Sequence, residues 1–283
     1  MQVKVKTPAK INLTMEVLNK RPDGFHNIQS VMQMIDLYDY LTIEVENSDK
    51  NEIFLSGTSD EIPYNEKNLV YKAAKLYLDK TGITDKRIKI FIEKNIPVSA
   101  GLAGGSTNAA GTIFGLNKLF NLLSKEELHE LCASLGSDLN VCLEGGCLLA
   151  TSRGEKIERL PFREHSVSLI KPPNLGISAK EAYTKFSQLE KKPNLDMTFK
   201  MIDSIKVGCD VRQFLHNDLE VAVFDDYEEL QKIKSMLPKS IMSGSGSTYF
   251  VIDDTIPQID GYWVKNGLKF IPSGVEEYEL LLK

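Results

Sequence analysis

This chain has few handles for metal or disulfide chemistry. Its 283 residues include four cysteines and four histidines. Cys132, Cys142, Cys147 and Cys209 form no C-x-x-C pair, and His26, His129, His165 and His216 stand far apart with no zinc-type spacing. Free thiols buried in a reducing compartment fit that pattern. An apolar leader is also lacking: Val3 and Val5 alternate with Lys4 and Lys6, and no run reaches membrane-spanning length. A cytoplasmic protein without a membrane partner is expected. Positive charge is not in excess either. Lys and Arg number 34 against 39 Asp and Glu, a net charge of −5, and the basic residues are scattered. Nothing there predicts a nucleic-acid partner. The chain shows no internal repeat and no low-complexity tract. What is present is 42% hydrophobic and 26% charged. That is the composition of a globular chain, long enough for one large or two ordinary domains.

The most informative stretch runs from Pro97 to Ala110. Before it, Arg87 to Lys94 alternates apolar and polar residues with the two-residue period of a half-buried strand. After it, a run rich in Ala, Leu, Phe and Ile reads as a helix to about Phe120. Strand, glycine-rich loop and helix N-terminus together make a candidate anion site, because open N–H groups and the helix dipole favour negative charge. An ordinary strand-to-helix turn has the same glycines; the added Ser106 and Thr107 hydroxyls favour phosphate. The loop lacks the Gly-Lys-Ser/Thr ending of a P-loop, and Gly101, Gly104 and Gly105 do not fit Gly-x-Gly-x-x-Gly.

Taken in order, residues 3–6 and 11–17 read as two strand-like pieces, with Pro8 to Leu13 joining them. Lys10 and Asn12 share one strand face; they suit a phosphate and a hydroxyl, or a solvated surface. Arg21-Pro22-Asp23-Gly24 is a turn, and Phe25-His26 follows it directly. Residues 41–45 and 53–55 extend the β-rich start, and Asn68 to Leu78 has helical spacing with a stop at Thr81-Gly82. Ser124 and Glu127 form a capping box for a helix ending near Gly136. Asp138 follows, either a turn-former or a catalytic base facing the glycine loop. A strand is expected over 147–151, and a charged, irregular stretch over 152–161 suggests a boundary between domains 1–155 and 156–283. Beyond it come a strand at 167–170, a second capping box at Ser178 and Glu181 opening a helix that carries Tyr183, and helices to about Leu237. Met242 to Thr248 is a second small-residue loop running into a strand over 249–252, with strand signals near 262–264 and after Gly274.

Three of these segments, Pro8 to Leu13, Pro97 to Ala110 and Ser243 to Thr248, resemble the GHMP kinase superfamily and lie in its order. The resemblance implies an α+β protein: an N-terminal domain similar to the second domain of ribosomal protein S5, a ferredoxin-like C-terminal domain, and an active site between them. Arg21-Pro22-Asp23-Gly24-Phe25-His26, Asn68-Leu69-Val70, Gly136-Ser137-Asp138, Asn217-Asp218-Leu219-Glu220 and Met242 to Gly246 look like one branch of it. That branch acts in the non-mevalonate isoprenoid route. It phosphorylates the tertiary hydroxyl of a small molecule bearing a cytidine diphosphate group.

For the site, the resemblance implies Asp138 as general base and Lys10 as its charged partner. Pro97, Ala100, Gly101, Leu102, Ala103, Gly104, Gly105, Ser106 and Thr107 would wrap the ATP phosphates, with Lys94 and Asn68 near ribose and adenine. Magnesium would come with ATP, held by Ser106, Thr107, phosphate and water rather than by a dedicated protein site. Asn12 and Ser178 would hold the acceptor. Phe25 and Tyr183 would sandwich the cytosine, a stack worth roughly 1–3 kcal/mol, and His26 would read its edge. Three positions depart from the branch pattern: Phe25 replaces a tyrosine, and Asn140 and Ser247 replace prolines, which would loosen their loops. Rival readings are a sibling kinase for homoserine or mevalonate, a catalytically silent binding protein, and a dinucleotide enzyme, the last disfavoured by glycine spacing. A monomer or homodimer is expected.

Overall fold

The structure, a computed structural model, describes residues 1–189 and 196–278. It opens with β1 (Gln2–Asn12), β2 (Thr14–Lys20), β3 (His26–Asn47), β4 (Glu52–Gly57), α1 (Leu69–Thr81) and β5 (Lys86–Glu93). Next come α2 (Gly104–Phe120), α3 (Lys125–Leu135), α4 (Leu139–Glu144) and the hairpin of β6 (Cys147–Ser152) and β7 (Lys156–Arg159). The rest comprises β8 (Ser166–Lys171), α5 (Ala179–Gln188), α6 (Met197–Val207), β9 (His216–Asn217), α7 (Asp218–Val223) and α8 (Glu228–Met236). It ends with β10 (Ile241–Met242), β11 (Tyr249–Ile252), β12 (Trp263–Lys269) and β13 (Glu276–Glu277). The mixture is α+β, as predicted. Residues 190–195, inside the run expected to be helical, lie outside the described residues. Among the described residues no helix is long and apolar enough to cross a membrane.

The spine is β3. Its 22 residues alternate buried and less buried side chains over most of their length, the signature of a strand with one face on a core. One edge pairs with β1 and then β2; the other pairs with β6 and then β5. The second sheet runs β10-β11-β8-β12. The 155/156 division falls in the β6–β7 turn, since β7 pairs with β6 in the first sheet. Later chain also returns to that sheet: β9 pairs with β2, and β13 with β1.

The pieces expected at 3–6 and 11–17 divide differently. β1 runs unbroken through Pro8, and the break comes at Leu13. Proline removes a ladder donor and is tolerated at irregularities. Here the register shifts beside it, from Pro8 opposite Tyr38 to Ala9 opposite Ile35. The shift has a consequence for the cores. Val3 and Val5 belong to the cluster under α1 and α2, whereas Ala9, Ile11 and Leu13 belong to the one shared with β8, β11 and α6. The odd-numbered side chains of one strand thus serve two cores. Lys10 and Asn12, on the alternate face, remain on the side of α2 and α4.

Helix α2 lies close against the sheet because Gly111 and Gly115, one turn apart, carry no side chain. A Cβ at Gly111 would sit 2.4 Å from the Thr7 methyl, and one at Gly115 would sit 2.6 Å from Ile43 Cδ1. Helix termini follow the sequence signals in part. Asn68 caps α1, and Ser124 and Glu127 complete their capping box. The box expected at Ser178 is half made. Ser178 Oγ accepts from Glu181 N at 3.2 Å, but the Glu181 carboxylate is taken by the Tyr227 hydroxyl and Lys185.

Candidate active site

A cleft of about 990 Å³ is floored by the start of α2 and the end of β1, and walled by the β2–β3 turn and α5. It gathers Lys10, Asn12, Phe25, His26, Asn68, Lys94, Pro97, the loop from Ala100 to Ser106, Asp138 and Tyr183. These residues are scattered across most of the chain, and the β3-centred pairing brings them together. Two expected residues do not line it. Ser178 is exposed and spends its hydroxyl on the α5 cap. Thr107 is fully buried one position beyond Ser106, because a helix turns about 100° per residue. Its hydroxyl is buried in the core, with no hydrogen-bond partner among the described residues, and does not face the cleft.

At the donor end, the N-cap of α2 is Ala103 in the left-handed region (φ 59°), with no side-chain cap. The first N–H groups of the helix are therefore free to meet an anion. Nothing within 4 Å would contact a Cβ at Gly105, so that turn has open space above it. Gly101 is the opposite case. With φ +74° it folds the loop so tightly that a Cβ would lie 2.0 Å from Ser243 O. Lys94 sits beneath the loop. Its ammonium pairs with Asp39 at 2.7 Å and donates to Ile96 O. Burial pulls the Lys94 pKa down, against the opposing effect of Asp39. Asp39 also accepts from Asn95 N (2.7 Å) and Ile96 N (2.8 Å), fixing the turn into the glycine loop. Asn68 spends its amide on Val70 N (2.9 Å) and Pro63 O (2.7 Å), holding α1 in place at the cleft wall.

The centre of the cleft is Lys10. Its ammonium is almost fully buried, donates to Asn12 Oδ1 (2.6 Å) and Gly101 O (3.1 Å), and lies 3.7 Å from Asp138 Oδ2. Asn12 Nδ2 donates to Ser30 Oγ at 2.8 Å. Asp138 occupies the N-cap of α4 but makes no side-chain capping bond, and its side chain is 30% exposed. The carboxylate is thereby left to the cleft. Helix α4 is pinned at its other end by Glu144, which pairs with Lys125 (2.8 Å) and Arg159 (2.7 Å). Burial raises the Glu144 pKa, but hydrogen bonds and charge from Arg159 and Lys125 prevail and bring it down to about 2.

At the far end the rings pair in an order the sequence did not indicate. Tyr183 stacks on His26 with centroids 5.4 Å apart and planes 13° apart, and His26 Nε2 meets Ser187 Oγ at 3.1 Å. Phe25, 53% exposed, has the Arg153 guanidinium 5.3 Å from its centroid. Phe25 and Tyr183 both line this end of the cleft. Asp39, Arg153 and Ser187 escaped sequence reading. Only Asp39 left a trace, a carboxylate midway along an otherwise core-facing strand. Both proline replacements are tied down by a hydrogen bond: Asn140 Nδ2 donates to Glu155 O at 2.9 Å, its Oδ1 being buried without a partner among the described residues, and the Ser247 hydroxyl donates to Leu175 O. Among the described residues no cluster of three or more acidic, histidine or cysteine side chains is placed to hold a metal.

An anion-ready helix start opposite a lysine–carboxylate pair suits transfer of a phosphoryl group to an alcohol. Comparison with known proteins points the same way. The family of the GHMP kinases N terminal domain matches residues 68–146. The 4-diphosphocytidyl-2-C-methyl-D-erythritol kinase of Bacillus cereus (strain B4264) is 41% identical over 263 residues, covering 88% of this chain and 88% of its own. A crystal structure of 4-(cytidine 5'-diphospho)-2C-methyl-D-erythritol kinase superposes with a TM-score of 0.70 at 28% identity, covering 88% of this chain and 89% of its own. The homoserine kinase of Cytophaga hutchinsonii superposes with a TM-score of 0.75 at 16% identity, covering 98% and 97%, a likeness of fold alone.

Proposed function

The chain belongs to the 4-diphosphocytidyl-2-C-methyl-D-erythritol kinase family of GHMP kinases, and on that premise we propose how its cleft works. The enzyme transfers the γ-phosphoryl group of ATP to the 2-hydroxyl of 4-diphosphocytidyl-2-C-methyl-D-erythritol, in the non-mevalonate route to isoprenoid precursors. The observation that carries this reading is the Lys10–Asp138 pair, 3.7 Å apart, in one cleft with the open start of α2 and the aromatic end.

The triphosphate lies over Gly104, Gly105 and Ser106, where free N–H groups and the helix dipole hold it. Magnesium would come with the nucleotide, and Asp138 and the Ser106 hydroxyl are the cleft's oxygen donors that would hold it, where it would balance phosphate charge. The acceptor hydroxyl lies between Asp138 and the γ-phosphorus. As its oxygen bonds to phosphorus, the bond to the β–γ bridging oxygen breaks and ADP leaves with that electron pair. Asp138 takes the hydroxyl proton late in a loose transition state, so placement and charge do most of the work. The Lys10 ammonium balances charge on the transferring group, and Asn12 holds the alcohol near it. The cytosine occupies the end formed by Phe25, His26 and Tyr183. Polar reading by His26 rejects wrong bases more sharply than stacking does, since a mismatch leaves buried groups unpaired. This reading places the enzyme in the cytoplasm, in keeping with its four free cysteines.

The test is a substrate panel. The purified chain is incubated with ATP and, separately, the cytidylyl alcohol, mevalonate and homoserine, and ADP release is followed. ADP release is expected with the cytidylyl alcohol alone. Turnover with mevalonate or homoserine but not with the cytidylyl alcohol overturns the acceptor assignment.

A further inference from the structure

We infer that Asn217 is a positioning residue of the phosphoryl-transfer site: its amide sets the Ser243–Gly244 loop and, through it, the Lys10 ammonium. The inference rests on the kinase reading above. Asn217 is 1% exposed, and it is not among the residues that line the cleft.

All four hydrogen-bonding positions of its amide are used. Oδ1 accepts from Leu219 N (2.9 Å) and Glu220 N (3.3 Å), capping α7. Nδ2 donates to Met242 O (2.7 Å) and Gly244 O (2.8 Å). Capping needs only the oxygen, and aspartate or serine caps about as well. The two N–H donors are what the cap does not explain. They grip the backbone on both sides of Ser243, while Glu220 Oε2 accepts from Met242 N at 2.9 Å.

Ser243 carries that grip to the reacting centre. Its Oγ donates to Gly101 O at 3.0 Å and accepts from Asn12 N at 3.3 Å. Gly101 O is also an acceptor for Lys10 Nζ at 3.1 Å. Gly244 closes the pocket from the other side: a Cβ there would lie 3.1 Å from Lys10 Nζ and 3.4 Å from Asn12 Oδ1. The links run Asn217 to Met242 and Gly244, then Ser243, then the carbonyl that holds Lys10. Each is a hydrogen bond or a backbone contact with little slack. Releasing the loop therefore moves the ammonium without removing any group that touches ATP or the acceptor.

The experiment uses the full chain, with wild-type turnover of the cytidylyl alcohol established first; failure there refutes the functional reading and not this one. Asn217→Asp and Asn217→Ser each keep a capping oxygen and lose the paired donors. Both are expected to lower kcat about tenfold to a hundredfold, as an ångström-scale misplacement does, with both KM values within about twofold. Ser243→Ala cuts the same path and leaves the α7 cap intact, so it gives the same kcat-specific loss. Combining Asn217→Ser with Ser243→Ala adds no more than about twofold to the larger single loss, because both act through one link. Wild-type kcat in the Asn217 variants, with only the melting temperature lowered, would reduce Asn217 to a cap. Multiplying losses in the double variant also overturn the inference. So does wild-type kcat in Ser243→Ala, even where neither Asn217 variant folds.

Discussion

Two alanine substitutions four residues apart on this backbone separate fold from nucleotide binding: Gly101→Ala and Gly105→Ala. At Gly101 the new methyl meets Ser243 O at 2.0 Å, Ser243 C at 3.0 Å and Gly246 N at 3.1 Å, on a backbone with φ +74°. Holding a non-glycine residue in the left-handed region costs about 1–2 kcal/mol. Overpacking a tight contact adds about 1–3 kcal/mol. Together these predict a loss of about 2–5 kcal/mol, or a melting temperature lower by roughly 5–15 °C. The overlap cannot be relieved without moving a loop by about an ångström, and the Gly101 carbonyl holds both Lys10 and Ser243. kcat should therefore fall about a hundredfold. Gly105→Ala meets nothing within 4 Å, so its melting temperature stays level or rises slightly, as alanine favours helix by about 0.5–1 kcal/mol. Its methyl enters the space assigned to phosphate, so the KM for ATP rises. Thermal melts with steady-state kinetics on both variants give the answer. Wild-type stability and turnover in Gly101→Ala would refute the contact between the two loops, and an unchanged ATP KM in Gly105→Ala would refute the placement of the phosphates.

Three further outcomes are expected. Asp138→Asn lowers kcat far more than it raises either KM, because the carboxylate acts on the reacting hydroxyl; unchanged turnover would remove Asp138 from the mechanism. Phe25→Ala weakens the acceptor by about 1–3 kcal/mol of lost stacking, read as a higher KM for the cytidylyl alcohol with the ATP KM unchanged; a rise in the ATP KM instead would show the cleft divided the wrong way. Glu144→Gln lowers stability at neutral pH by about 1 kcal/mol, a figure discounted for solvent around Arg159 and Lys125. Because the folded pKa of Glu144 is depressed from 4.5 to about 2, its contribution is present above 4.5 and lost as pH falls through that window. Denaturant melts of both proteins at a series of pH values should converge at the acid end.

The sequence made some of this legible because the signals were local. The strand period alone put Lys10 and Asn12 on one face, and they meet at 2.6 Å. The glycine loop announced an anion-ready helix start, and Asn68 and Ser124 announced their helices. What stayed hidden depended on partners distant in sequence. Thr107 follows Ser106 directly, but which of the two faces the cleft is settled by the packing of α2 on the sheet. Pro8 looked like a break until β3 supplied the shift in register that accommodates it. Glu181 sat three residues after Ser178, as a capping box requires, yet Tyr227 and Lys185 claimed it. His26 and Tyr183 stack across more than 150 positions of chain, a pairing no short motif encodes.

The return of late chain to the first sheet also governs when the enzyme can begin to work. Lys10 leaves the ribosome more than 200 residues before the Ser243 hydroxyl that shares its carbonyl anchor. β13 completes the edge of β1 later still. Contacts so remote in sequence form slowly and only after much chain has been ordered. Before Ser243 is made, Gly101 O has Lys10 but lacks the second of the two donors it accepts from in the folded protein. The Lys10 anchor is therefore complete only once Ser243 has been made and has docked against Gly101.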